Sequence, residues 1–436
     1  MVANYLRGID RAVDLTPPSR NRVVDGWRAL ALLLVVFGHW ISASIWVQPD
    51  GTILAGNTLE WFPAAEHLTW LFQVMPIFFL AGGYANAAAL DGSPDIRTWV
   101  TSRVRRLYTP VVPLIVVWVI LVAVLRPYIP SNVVHAGTIS ATLPVWFIAV
   151  YLVMVTLAPL TLRWWRRSGA RSLLVLAACA LSIDGLRFGL DLPAIGWVNY
   201  LFVWAFVHQL GYAWFDRNRT DRPVSFTAGV VALAAGLGVL IITTGIGWYP
   251  VSMVTIPGGG ISNMTPPTFA NGFLAIAHAG LIAVSMPLAR RLTDRRPVWR
   301  IVVAVSAVMM TIYLWHLTAL SLLGAAGIFI GDGWLFSFEP GTPPWWWLRV
   351  PFFGVLAVLT VVLVAVFGSF ERNINRRPPQ GNRMVWFAGI VAAIGATALT
   401  AFVGIVTHDA AINWYIPAFA VIAAVVSGSY RIRPTS

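Results

Sequence analysis

Long apolar runs separated by short polar clusters recur along the whole chain. A helix rises 1.5 Å per residue, so crossing ~30 Å of hydrocarbon takes roughly 20 apolar residues. Twelve runs fit that length: 27–47, 68–90, 107–126, 142–162, 171–190, 197–214, 225–246, 269–289, 301–323, 345–369, 384–406 and 411–430. The fifth and sixth are short and interrupted by Asp184, Arg187 and Pro193. The pattern predicts an all-α, polytopic helical membrane protein of about 12 spans.

The polar clusters set the orientation. Cytoplasmic loops of membrane proteins carry an excess of basic residues. Alternate loops here hold five Arg through Arg28, four at 97–106, four at 163–171, three at 217–222, five at 290–300, four at 372–383 and two at the C-terminus. Only Arg126, Arg187 and Arg349 fall on the other side. A wrong span count would invert the alternation beyond the error, and it never inverts. Both termini are therefore expected in the cytoplasm of a cell with this protein in its inner membrane. Residues 1–22 read as a cytoplasmic N-terminal segment, polar and Arg-bearing rather than a cleavable signal peptide. The outer loops 48–67, 247–268 and 324–344 are rich in Gly, Pro, Asn and Trp, and Trp345-Trp346-Trp347 reads as an interfacial aromatic belt.

Composition adds what the pattern leaves open. The 436 residues are 58% hydrophobic and 11% charged, with a mean hydropathy of +0.74, whereas soluble domains carry about 25% charged residues. The net charge of +13 follows from the Arg-bearing cytoplasmic loops and implies no nucleic-acid partner. All 30 basic residues are Arg. One cysteine, Cys179, excludes a disulfide framework and a Cys-based metal site, and no metal site is expected. No internal repeat relates 1–220 to 221–436, which counts against many transporter folds.

Ionisable residues at membrane depth are costly unless they face a cavity or a partner. His39, His208, His278 and His316 qualify, with Asp184 and Arg187 beside them. Arg28 and His39 are eleven residues apart, about 1100° of rotation and so within about 20° of one helix face. The rise between them is roughly 16 Å, which puts Arg28 at the cytoplasmic end and His39 near the midplane. His208 and His278 have no partner at helical spacing and read equally well as packing residues. Asp184 and Arg187 are three apart and read as an intrahelical ion pair. His316 lies about 16 residues into the ninth run, nearer the outer leaflet, with Tyr313 close to it on the same helix. Arg103 and Arg106 are one turn apart at the cytoplasmic end of the third run and suit a shared phosphate.

Together these segments resemble membrane acyltransferase family 3, whose members O-acylate bacterial envelope glycans, lipids and some secondary metabolites. Val24-Asp25-Gly26-Trp27-Arg28-Ala29-Leu30-Ala31 through Gly38-His39 is similar to the family's first helix, with its Arg-x10-His signature. Pro76-Ile77-Phe78-Phe79-Leu80-Ala81-Gly82-Gly83 resembles its second-helix motif, Arg103 to Arg106 its Arg-x-x-Arg, and Tyr313-Leu314-Trp315-His316 its late motif. The resemblance spans the family's ten-helix core, giving an expected acyltransferase domain over 23–370 and a two-helix C-terminal extension over 371–436. Two departures stand out. Many members carry Trp-x-x-x-x-Glu in the fourth helix, where Trp146 is followed by Tyr151, and many have Ser-Gly where this chain has Gly82-Gly83.

The resemblance implies an acyl-CoA donor, acetyl-CoA first, no permanently bound cofactor, and a hydroxyl-bearing envelope glycolipid or polysaccharide acceptor. Arg103 and Arg106 would hold the CoA phosphates, with 290–300 the other cytoplasmic Arg cluster. His39 would act as base or nucleophile with Arg28 as ion partner or donor guide, and Tyr313 and His316 would face the acceptor. Two other classes stay open: a lipid or sugar transporter with a histidine proton relay, and an envelope scaffold in which the histidines only pack.

Overall fold

The computed structural model describes residues 2–18, 20–256, 260–329, 334–374, 378 and 382–429. Parts of the expected outer loops, Arg376, Arg377 and the C-terminal Arg431 and Arg433 lie outside the described residues. In chain order the principal elements are α1 (Val2–Asp14), α2 (Arg22–Ser42), β1 (Ala43–Val47), β2 (Ile53–Asn57), α3 (Met75–Asp91) and α4 (Ile96–Tyr108). They continue with α5 (Val111–Leu125), α6 (Ser131–Thr142), α7 (Val145–Ser168), α8 (Ala170–Gly189), α9 (Asn199–Arg219) and α10 (Phe226–Gly245). The last are α11 (Ala270–Asp294), α12 (Arg296–Ala307), α13 (Met309–Phe329), α14 (Pro343–Arg372), α15 (Arg383–Phe402) and α16 (Tyr415–Val426).

The chain is nearly all-α, and among the described residues ten helices are long and apolar enough to cross a membrane. Two of the expected runs fall short of that standard. The helix α9 is diluted by Asn199, His208, Gln209 and its terminal charges, and α16 has 12 residues. The first expected run, 27–47, is also divided differently: α2 stops at Ser42, and Ala43–Val47 pairs antiparallel with Ile53–Asn57. The β-branched and aromatic residues of Ile45-Trp46-Val47 suit a strand as well as a lipid-facing helix. The ninth run, 301–323, is broken at Val308, so α12 and α13 are separate helices.

The chain divides into two compact units, the first comprising 1–37, 62–92 and 157–307 and the second 38–61, 93–156 and 308–436. In the first, α3 and α9 cross at glycines. A methyl on Gly83 would overlap the backbone carbonyl of His208, and one on Gly211 would overlap that of Leu80. Small residues let membrane helices approach at backbone distance, which accounts for Gly83 in the second-helix motif. The amphipathic α1 docks on α12 through Ile9, Val13, Trp299 and Val302, fastened by Arg300–Asp10 at 2.9 Å and Arg296–Asp14 at 2.8 Å. The polar N-terminal segment is therefore a structured helix in its own right.

The expected Asp184–Arg187 ion pair does not form. The carboxylate of Asp184 instead accepts from Asn199 Nδ2 at 2.8 Å, from the Tyr249 hydroxyl at 2.7 Å and from the Phe269 backbone N–H at 2.7 Å. Arg187 donates to the Pro266 carbonyl at 3.1 Å. Both side chains fasten the segment after α10 to α8. Three donors on one buried carboxylate compensate its desolvation better than a single flexible arginine.

In the second unit, α15 and α16 pack together, and α16 holds the end of α4. Buried Arg105 donates to the Ser427 carbonyl at 3.2 Å, and Tyr108 donates to the Ala420 carbonyl at 2.7 Å. Asp95 caps α4 by accepting the backbone N–H groups of Arg97 and Thr98. The Thr98 hydroxyl and these amides hold its carboxyl below the usual range.

The glycine crossing yields a direct test. Gly83→Ala places backbone against backbone, so it should cost about 1–3 kcal/mol, as overpacking does. Its thermal midpoint in detergent should fall by several degrees, while Gly92→Ala, with nothing within 4 Å of the added carbon, should melt like wild type. Equal melting of both variants would remove the crossing as a determinant of stability.

Candidate active site

The second unit brings together two of the residues that the sequence placed apart. His39 Nδ1 lies 2.8 Å from His316 Nε2. The ring planes are 7° apart with centroids at 5.1 Å, the dimensions of two imidazoles joined edge to edge. His39 stands near the end of α2, and His316 is seven residues into α13, about 10 Å along that helix. The break at Val308 moves the start of the helix, so His316 is two turns from its beginning rather than sixteen residues along a continuous span.

One backbone carbonyl fixes the protons of this pair. His316 Nδ1 is 2.7 Å from the Tyr313 carbonyl oxygen, which only accepts, so His316 carries its proton on Nδ1. In the neutral ring Nε2 is then an acceptor. It accepts from His39, which must carry its own proton on Nδ1. His39 Nε2 is left with the lone pair, and no other described group hydrogen-bonds to it. The same logic of one group orienting a histidine from behind operates in catalytic triads.

The surroundings keep the pair in place. Trp40 Nε1 donates to the His316 carbonyl at 3.3 Å, and Trp118 Nε1 to the Thr318 hydroxyl at 3.0 Å. Tyr313 packs edge-on against Phe147 at 5.3 Å, and Phe147 stacks on Tyr151 at 5.3 Å. Tyr151 thus joins an aromatic wall that ends at Tyr313. Tyr313 meets His316 through its carbonyl.

Sequence reasoning passed over Glu371. This buried carboxylate accepts from the backbone N–H groups of Met310 at 3.1 Å and Thr311 at 2.9 Å, and from the Thr311 hydroxyl at 2.8 Å. It caps the N-terminus of α13 from another helix, where orphan N–H groups and the helix dipole favour an anion. The visible signal was a lone carboxylate in an otherwise Arg-bearing stretch, 371–383.

Of the arginines near the end of α4, Arg106 is exposed, Arg103 half-buried and Arg105 buried. Arg103 lies over the Trp99 ring at 5.5 Å. In the first unit, Arg28 is 3.8 Å from Asp25, whose carboxylate Arg20 also holds at 2.6 Å. That unit contains a polar cavity of about 600 Å³, with Arg20, Arg22, Tyr84, Asn218, Arg290 and Asp294 in its lining. His208 and His278 each have a hydrogen-bond partner within the first unit. His208 Nε2 pairs with Asn86 Nδ2 at 3.0 Å, and His278 Nε2 donates to the Trp70 carbonyl at 3.3 Å. No group of three or more metal-ligating side chains occurs among the described residues.

Ten membrane-length helices among the described residues mark a multi-pass membrane protein, and the histidine pair leaves one imidazole lone pair without a hydrogen bond from any described group. The profile of the acyltransferase 3 family, described as "Acyltransferase domain", matches residues 21–369. The chain belongs to that family and is a multi-pass membrane acyltransferase. Comparison with curated proteins gives no match, and comparison with solved structures gives none.

The tautomers are directly measurable. In ¹⁵N-histidine-labelled protein, His39 and His316 should both show protonated Nδ1 and unprotonated Nε2, with a coupling across the N–H···N bond. His316→Gln should abolish the coupling. A His39 protonated on Nε2 in the neutral protein would contradict the assignment.

Proposed function

We propose that the protein transfers an acyl group, acetyl first, from acyl-CoA to a hydroxyl of an envelope glycolipid or polysaccharide. The reading has it work in the inner (plasma) membrane, crossing about twelve times with both termini in the cytoplasm. The observation that carries it is the chain Tyr313 carbonyl, His316, His39, which leaves a lone pair on His39 Nε2 in a family of acyltransferases.

In the direct route, His39 Nε2 takes the proton of the acceptor hydroxyl as that oxygen attacks the thioester carbonyl. The new C–O bond forms, the tetrahedral centre collapses, and the C–S bond breaks. The leaving thiolate takes the proton back from His39, giving CoA thiol and the O-acyl product. While His39 is protonated on both nitrogens, its Nδ1–H donates to His316 Nε2 as a charge-assisted bond, stronger than the neutral one. His316 thus acts from behind His39, and Tyr313 holds His316. In a two-step route the same lone pair attacks the thioester, and an acyl-imidazole then passes the group on.

The donor has two candidate positions. Arg103 and Arg106 offer planar guanidinium forks at the cytoplasmic end of a helix, suited to phosphate oxygens. The 600 Å³ cavity lined by Arg20, Arg22 and Arg290 supports the second. If the first holds the donor, Arg103→Ala with Arg106→Ala should raise KM for acyl-CoA at least tenfold and leave the residual binding less salt-sensitive, because two screenable charge–phosphate contacts are gone. Arg22→Ala with Arg290→Ala should then be close to wild type, and the reverse ranking moves the donor to the cavity.

Substituting His39 separates the enzyme from a proton-coupled transporter. His39→Ala should fold normally, bind CoA, and lose about 10²–10⁴-fold or more in transfer rate. The assay uses purified protein in detergent, where no proton gradient exists. Undiminished transfer by His39→Ala there would remove His39 from the chemistry.

A further inference from the structure

The second unit holds a charge that nothing above employs. Arg349, in α14, is 6% exposed. Its guanidinium lies over the Trp345 ring at 3.9 Å and the Phe352 ring at 4.8 Å. Trp345 is thus buried as a shelf for this cation, while Trp347 faces outward as a belt residue does. One N–H, on Nη2, donates to the Ala43 carbonyl at 2.6 Å. No described Asp or Glu lies within ion-pair distance of Arg349.

A guanidinium carries five N–H donors, and among the described residues one of them is used. The two aromatic rings packed against the group take none of the in-plane N–H hydrogen bonds. Ionised side chains inside a membrane protein are costly, and those present mark substrate paths or binding partners by default. Cation–π contact offsets part of that cost but supplies no hydrogen-bond acceptor for the remaining edge. An oxyanion supplies both a counter-charge and two acceptors in the geometry of the fork.

Position identifies the occupant. Ala43 is the first residue after α2 and lies four residues, one helical turn, beyond His39. The chain reaches it at the end opposite Arg22, and Arg349 is one of three arginines outside the cytoplasmic clusters. An anion gripped there belongs to a molecule whose other parts reach His39 from the non-cytoplasmic end. The donor's charge enters with the cytoplasmic arginines and does not require this position.

We infer that Arg349 is an acceptor-binding residue that grips a phosphate or carboxylate carried by the membrane-borne acceptor and so sets the acceptor hydroxyl against His39. The identity of the occupant as the acceptor rests on the acyl-transfer reading, whereas the existence of the anion site does not. The substrate class is thereby narrowed to acidic glycolipids and acidic amphiphiles.

Two arms test it in a neutral detergent. In the first, dodecyl phosphate and inorganic phosphate are titrated by calorimetry and by thermal shift. Wild type should bind dodecyl phosphate saturably, and inorganic phosphate at least tenfold more weakly. Arg349→Gln, which can still donate to the Ala43 carbonyl, should lose at least tenfold in dodecyl phosphate affinity while melting like wild type without ligand. Arg349→Lys should fall between them, since an ammonium keeps the charge and loses the fork.

In the second arm, transfer from radiolabelled acetyl-CoA is followed to octyl glucoside and to octyl glucuronide. Wild type should favour the glucuronide in kcat/KM, and Arg349→Gln should lose at least tenfold more on the glucuronide than on the glucoside. Absence of dodecyl phosphate binding, binding that survives Arg349→Gln, or equal binding of inorganic phosphate overturns the site. An equal loss on both acceptors also overturns it and makes Arg349 a structural tie. Arginine-dependent binding with no transfer to any acceptor supports the anion site and contradicts the acyl-transfer reading instead.

Discussion

The 2.7 Å hydrogen bond from His316 Nδ1 to the Tyr313 carbonyl constrains the rest of the site. A carbonyl has no proton to give, so the direction of that bond is settled by chemistry rather than by surroundings. From it follow the acceptor state of His316 Nε2, the donor state of His39 Nδ1 and the lone pair on His39 Nε2. The Tyr313 carbonyl opens the second turn of α13, directly after the turn that Glu371 caps. A carboxylate from the far end of α14 therefore determines where a helix begins, and the helix determines which imidazole nitrogen is a base. In a medium with little water each link is stronger than it would be at a surface, and a missing link is correspondingly more costly.

Much of the fold was legible because membrane burial leaves a coarse signal. Apolar runs of the right length marked most of the helices. Where the signal was finer the reading slipped. Ala43–Val47 is apolar enough to continue a span, but it forms a strand once the chain leaves α2. Val308 interrupts an unbroken apolar run because Glu371, distant in sequence, offers acceptors for the N–H groups of a new helix. The N-terminal segment looked merely polar, although Ile9 and Val13 are one turn apart and build the docking face of α1. Asp184 and Arg187 sat at ion-pair spacing, but the donors that satisfy Asp184 come from Asn199, Tyr249 and Phe269, which no local rule connects to it.

The site residues divide in the same way. His39 was identifiable alone from its depth and from the Arg-x10-His spacing, and His316 from its place in Tyr313-Leu314-Trp315-His316. Their partnership was not, because it joins residues 277 apart on helices whose registers were misplaced by several residues. Arg349 was read only as an exception to the charge pattern. Its burial against Trp345 and Phe352 is the observation from which the acceptor site is inferred.

The central claim is that His316 acts through His39 rather than beside it, and a double-mutant cycle on the acyl-transfer rate tests it most directly. Residues that work as one unit are strongly non-additive. The account predicts that His316→Ala slows the wild-type enzyme substantially and slows the His39→Ala enzyme no further. Losses from the two substitutions that multiply, leaving the double variant slower than His39→Ala by the full His316 factor, would show two independent contributions and contradict the dyad.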